Sequence, residues 1–197
     1  MRATDNRYRG ERARFELALR MIRHEARTGT IRYCTGLSDD RIRKLYTSYF
    51  KYDDGAAVKR RRGKSPTQIG PLVRTPARAL ESGAFVSALL ANGLLSFDDP
   101  PGPALRGNVD LGHRFCQCFE THELIVPDAT LSFEWGWNLL ISLRRGDELS
   151  LARCESCSTS YVYDRLALPR SRCPACAALE ERNSPQALDP QRLSMAR

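Results

Sequence analysis

The feature that most constrains this chain is a set of four cysteines: Cys154-x2-Cys157, fifteen intervening residues, then Cys173-x2-Cys176. Each C-x-x-C step brings two thiolates to one point, and the loop between the steps can fold back to complete a tetrahedron. That is the spacing of a structural four-cysteine zinc site. Two other readings use the same residues. A redox dithiol needs one C-x-x-C and leaves the second without a purpose. A pair of disulfides needs an oxidising compartment. Four thiolates leave no position open for water, so the expectation is one Zn2+ ion in a structural role, held by Cys154, Cys157, Cys173 and Cys176.

The chain has 197 residues, enough for one domain with a sizeable core plus a small metal module. Its polar, Arg-rich first ten residues contain no apolar h-region, and no apolar run approaches the length of a membrane span. Seven cysteines without an export signal fit a reducing interior. A cytoplasmic protein with no membrane contact is the expectation.

The net charge of +8 is unevenly placed. Residues 1–65 carry 18 Lys/Arg against 8 Asp/Glu, whereas residues 66–197 carry 13 against 15. A polyanion meeting the N-terminal third would explain this, because neutralising phosphates releases counterions and drives affinity. A solvated basic face explains it equally well from charge alone.

Apolar spacing predicts a first helix over 11–26, with Phe15, Ala18, Leu19 and Ile22 on one face. A short helix over 30–35 follows, then a turn at Gly36 and a Ser38-capped helix through residue 50. Asp39 and Asp40 sit in the first turn of that helix, where the dipole favours them. After a break at Asp53-Asp54-Gly55, the run Lys59-Arg60-Arg61-Arg62-Gly63-Lys64-Ser65-Pro66 reads as an exposed basic loop. Further helices are expected over 78–95, 109–124 and 131–145. The Pro-rich stretch 98–103 breaks the chain between the first two of these. Residues 149–151 lead into the metal module, residues 160–163 form a short strand within it, and one or two helical turns follow Cys176. The expected fold is mainly α. It comprises a basic helix-turn-helix-like region over 1–65, a helical core over 66–150 continuous with it, a zinc-ribbon-like module over 151–178 and a poorly ordered tail over 179–197.

Residues 31–45 carry the helix-turn-helix pattern. Gly36 tolerates the positive φ of the turn, Leu37 follows it as an apolar plug, and Ile42 and Leu45 face inward, extended by Tyr46 and Tyr49. The outer face then holds Asp40, Lys44, Thr47 and Lys51, flanked by Arg41, Arg43 and Ser48. Candidate DNA contacts are Arg41, Arg43, Lys44, Thr47 and Lys51 on the helix, with Lys59, Arg60, Arg61, Arg62 and Lys64 in the loop. Arg32 occupies the place where such motifs carry a small residue, and Asp39 and Asp40 repel phosphate unless they act as caps. An ordinary helical hairpin is the competing reading.

Cys34, Cys116 and Cys118 are expected to be packing residues, and the three histidines show no ligand or catalytic spacing. Arg62-Gly63-Lys64-Ser65 lacks the upstream glycine and strand of a phosphate-binding loop. Nothing in the sequence argues positively for an enzyme or for a small-molecule substrate.

Four elements in order resemble the FlhC family, the C subunit of the bacterial flagellar master transcriptional activator. They are the Thr35-Gly36-Leu37-Ser38 turn, Leu45-Tyr46, the Arg62-Gly63-Lys64-Ser65-Pro66 loop and the four-cysteine module. The resemblance covers about residues 15–176. It implies a mostly helical protein with a C-terminal zinc site, its ligands falling on Cys154, Cys157, Cys173 and Cys176. It also implies promoter DNA binding in a hetero-oligomer with a smaller FlhD-type subunit. Activation of flagellar class II operons through housekeeping-sigma RNA polymerase would follow. The chain departs from the family where Ile69-Gly70-Pro71-Leu72 replaces aromatic residues after the Ser-Pro loop. It departs again where Leu179-Glu180-Glu181 replaces a basic segment. A diverged paralogue fits both.

Overall fold

The computed structural model describes residues 3–51, 58–61, 63, 65–66, 68–98, 106–167 and 171–183. Among these, the protein is mainly helical. Helix α1 (Ala3–Arg23) is followed by α2 (Thr28–Thr35), α3 (Asp39–Tyr49), a 3-10 turn (Gly70–Leu72), α4 (Pro76–Ala91), α5 (Val109–Ile125) and α6 (Phe133–Arg145). A two-stranded hairpin of β1 (Leu149–Arg153) and β2 (Ser160–Asp164) then precedes α7 (Pro174–Asn183).

Local chemistry sets most of these boundaries. Ser38, Thr75, Asn108 and Ser132 each accept a hydrogen bond from the backbone N–H three residues on, capping α3, α4, α5 and α6. Helix α1 starts well before the expected residue 11. Its first turns are polar and carry no apolar period for a pattern reading to follow. Its buried stripe is also wider than expected, because Leu17 and Met21 join Ala18 and Ile22 inside. Helix α4 starts at Pro76, where the missing N–H of proline is harmless. It ends at Ala91, short of the expected residue 95, where Leu94 N–H and Gly93 N–H turn back onto the carbonyls of Leu89 and Leu90.

The core is an aromatic cluster shared by α4, α5 and α6. Phe115 meets Phe85, Phe133 and Trp137 edge to face, with ring centroids 5.8, 4.9 and 4.9 Å away. At two helix crossings a side chain from the neighbouring helix packs directly over a glycine. A Cβ on Gly112 would lie 2.5 Å from Leu17 Cδ2, and one on Gly136 would lie 2.9 Å from Phe85 Cζ. Cys34, Cys116 and Cys118 are buried, as their packing role requires. Burial pushes their thiols up to about 12, 12 and 11.

The hairpin is built into this core. Strands β1 and β2 pair antiparallel from Leu149↔Asp164 to Arg153↔Ser160, and Leu149 and Val162 belong to the main core cluster. Strand β2 crosses α4 at Gly83, where a Cβ would sit 3.2 Å from the Ser160 carbonyl oxygen. The sequence pattern marks β2 but reads 149–151 only as a lead-in; the alternation there is too short to separate a strand from a loop. Helix α7 runs to Asn183, so the segment expected to be a tail from residue 179 is helical at its start. The expected breaks at residues 53–55 and 99–103, and the tail from residue 184, lie outside the described residues.

Candidate metal centre and basic surface

The four predicted cysteines converge. Cys154 follows the end of β1, and its N–H donates to the Thr159 carbonyl to close the hairpin tip. Ser158 takes the left-handed conformation (φ 59°) and returns its N–H to the Cys154 carbonyl, which swings Cys157 round. Cys173 and Cys176 come from the start of α7, where Cys176 N–H reaches Cys173 Sγ at 3.5 Å. The Glu155 N–H donates to the Ser171 carbonyl, tying the two halves together.

All four Sγ atoms lie within 4.8 Å of one another. A tetrahedral zinc with Zn–S bonds near 2.3 Å holds its sulfurs about 3.8 Å apart. Cys157 and Cys173 stand 3.7 Å apart, which fits that edge and is far too long for a disulfide. The thiols are electrostatically at odds. Backbone N–H groups, that of Cys173 foremost, draw Cys154 down to about 6, whereas hydrogen bonding with Cys157 and Cys173 drives Cys176 up to about 12. Ionising all four at once in this space requires a cation among them. The donor set therefore fits one four-coordinate metal ion. A thiolate tetrahedron is the coordination preferred by zinc, with no vacant position for chemistry.

The helix-turn-helix pattern is also realised in backbone geometry. Gly36 caps α2 with φ 69°, and the Thr35 hydroxyl donates to the Ile31 carbonyl while accepting from the Leu37 N–H. Leu37 and Ile42 are buried, and Leu45 and Tyr46 pack against the core. Tyr49 is not buried as expected; it is 58% exposed. The inner ridge of α3 runs Ile42, Tyr46, Phe50 at i, i+4, i+8, so Phe50 takes the inward place and Tyr49 turns out. Arg32 causes no conflict at the crossing, because it points outward and pairs with Asp39 at 3.2 Å.

Several of the candidate DNA contacts are engaged within the chain. Arg41 reaches Glu11 at 3.4 Å and lies over the Phe15 ring. Arg43 pairs with Asp40 at 2.8 Å, and the Thr47 hydroxyl is spent on the Arg43 carbonyl. Lys44 is exposed, as is Lys51 just beyond the helix. In the loop, Arg60 lies over the Tyr46 ring, the Tyr46 hydroxyl donates to the Val58 carbonyl, and Arg61 pairs with Glu25 at 2.7 Å. Lys59 is exposed; Arg62 and Lys64 lie outside the described residues. The fold therefore brings the basic loop onto α3 and the end of α1.

Sequence reasoning missed the carboxylates that do this. Glu25 and Glu134 sit in the loop after α1 and in the first turn of α6, and no local pattern links them to residues 58–65. A third carboxylate, Glu120, binds Arg20 at 2.6 Å and His24 at 2.9 Å, and Arg20 pulls it down to about 2.

No protein-family model matches this chain, and no curated protein matches it. Among the described residues, no helix is long and apolar enough to cross a membrane.

Proposed function

We propose that this chain is the DNA-binding subunit of a transcription activator complex, acting with an FlhD-type helical partner. The observation that carries the reading is one combination. A glycine-turned pair of helices bears a basic loop docked on its second member, in a chain whose C-terminus gathers four thiolates at zinc-site spacing. The metal is zinc, and its role is structural. Lys44, Lys51, Lys59 and Arg60 supply the cationic grip. Following the family resemblance, the targets are flagellar promoters and the activated enzyme is housekeeping-sigma RNA polymerase.

A second reading has a specific observation in its favour. Arg41 and Arg43 are already ion-paired, and Asp39 and Asp40 open α3 with negative charge. That arrangement suits a zinc-stabilised adaptor that touches polymerase or a regulator and barely contacts DNA. A thiol redox sensor is a weaker third reading, because metal-ligated cysteines are not free to form disulfides.

The test is a salt-series titration of the zinc-loaded chain, with and without the partner, on promoter DNA and on scrambled DNA of equal length. Tight binding that prefers promoter sequence and needs the partner supports the activator subunit. Weak, sequence-indifferent binding in both cases supports the adaptor.

A further inference from the structure

The basic loop is held by three separate polar anchors spaced along it. At its start, Val58 C=O accepts from the Tyr46 hydroxyl at 2.8 Å. In its middle, Glu25 accepts from the Lys59 N–H at 3.2 Å and from Arg61 Nε at 2.7 Å. At its end, the Ser65 hydroxyl donates to Glu134 Oε2 at 2.5 Å. Glu134 is only 4% exposed and also accepts from the Arg27 N–H at 2.7 Å and the Thr30 hydroxyl at 3.1 Å. Between the last two anchors, Arg61 and Pro66 line a cleft of about 650 Å3 together with His24, Glu25 and Glu134.

Glu25 is conformationally unusual. It lies in the turn just beyond α1, with its N–H on the Ile22 carbonyl and the next N–H, that of Ala26, on the Met21 carbonyl. Its φ is 57°, in the left-handed region that glycine occupies without strain. The conformation that strains this residue is the one that aims its carboxylate at Lys59 and Arg61.

Resting on the DNA-binding reading, we propose that Glu25 and Glu134 are positioning residues that pre-organise the basic loop for a nucleic-acid backbone. A free loop must be ordered when phosphate binds, and that ordering subtracts from affinity. Here two carboxylates hold its described residues Lys59, Arg61 and Ser65 at the folding step, at the expense of one cation, Arg61. The acids thus strengthen polyanion binding although their own charge opposes it.

That opposition gives the test its sign. Glu25→Gly removes a negative charge and relieves the positive φ, so the fold is not endangered. If Glu25 only masks Arg61, the variant binds DNA more tightly. If it positions the loop, binding weakens by about two- to tenfold, the range for freeing one or two side chains. Ser65→Ala releases the other anchor with no change of charge and should weaken binding in the same way. Amide exchange in the DNA-free chain reads the clamp independently: Lys59 and Arg61 should exchange faster in Glu25→Gly. Faster exchange with weaker binding supports the proposal. Faster exchange with equal or tighter binding overturns it, as does unchanged exchange. If the wild-type chain with its partner binds no DNA, the functional reading itself falls, whatever the exchange data say of the clamp, and the positioning role for nucleic acid falls with it.

Discussion

Removing the metal should melt the C-terminal hairpin and α7 while leaving the helical core folded. Apart from Leu149 and Val162, which reach the main core, the module buries little: its own cluster consists of Cys154, Tyr161 and Cys173, and α7 has no buried residue. Ordering the five residues of β2 and the ten of α7 costs about 22 kcal/mol, at roughly 1.5 kcal/mol per residue. Burying Tyr161 and Val162 offsets about 3–6 kcal/mol of this. The remainder, about 16–19 kcal/mol, is within a few kcal/mol of the roughly 10–16 kcal/mol that structural zinc supplies to small domains. The assay is hydrogen exchange before and after chelation, with metal content measured on the same samples. Amides of β1, β2 and α7 should lose protection, whereas those near Phe115 and Trp137 should keep it. Cys173→Ser, which replaces a buried ligand with a hydroxyl, should reproduce the pattern. Protected β2 amides in a chain shown to be metal-free would refute the reasoning.

Three further outcomes follow from the geometry. His122 is fully buried, and neither ring nitrogen has a hydrogen-bond partner among the described residues. Burial lowers its pKa against the opposing pull of Glu81. The unfolded chain therefore takes up this proton first as pH falls. Stability present above about pH 6.5 drains away as pH drops toward the folded value. Glu120, held near 2, adds a second loss of the same sign below its ordinary value of 4.5. Urea midpoints at pH 7.5 and 5.5 should show a larger drop for wild type than for His122→Leu, a comparison in which acid loss of metal cancels. Gly112→Ala should destabilise by about 1–3 kcal/mol, the range for overpacking, despite the better helix propensity of alanine, because its Cβ meets Leu17 and Cys34; a stabilised variant in thermal melts would show that the crossing has slack. Replacing Arg60, Arg61 and Arg62 with Ala should reduce the salt slope of DNA binding by up to about one unit per lost phosphate contact; an unchanged slope would mark the run as solvated surface.

What was legible in the sequence was what local chemistry determines. The cysteine spacing carries the metal centre because ligand geometry is set within a few bonds of each thiol. Gly36, Leu37 and Ser38 mark the turn because positive φ, a plug and a cap are each demands on single residues. Helix ends were less legible where a long-range or polar cause decided them. The polar start of α1 has no apolar period, and α4 stops at a backbone turn around Gly93. The phase of α3 could be read only to within one residue, and the structure chose Phe50 over Tyr49 for the inner ridge. The clamp on the basic loop was not legible at all. Glu25 lies 36 positions from Arg61, and Glu134 lies 69 from Ser65, so only the tertiary fold brings them together.

Helix α6 connects the two candidate sites and explains why they should act separately. Its first turn carries Glu134, which secures the basic loop, and its last residue, Arg145, leads through Gly146 into β1 and the cysteines. The helix is 13 residues long, about 20 Å end to end. A long rigid element could in principle transmit metal loss to the loop. Its middle is fixed, however, by Gly136 against Phe85 and by the buried Trp137, Leu139 and Leu140. A densely packed core of this kind resists sliding of one helix. Fraying at the C-terminal end of α6 would therefore stop before it reached Glu134. On the proposed function, the metal module sets what the hairpin and α7 offer a partner, and the cationic surface of the N-terminal third is expected to persist without the metal. On this argument, a metal-free chain should keep its salt-dependent affinity for nonspecific DNA and lose whatever binding depends on the partner.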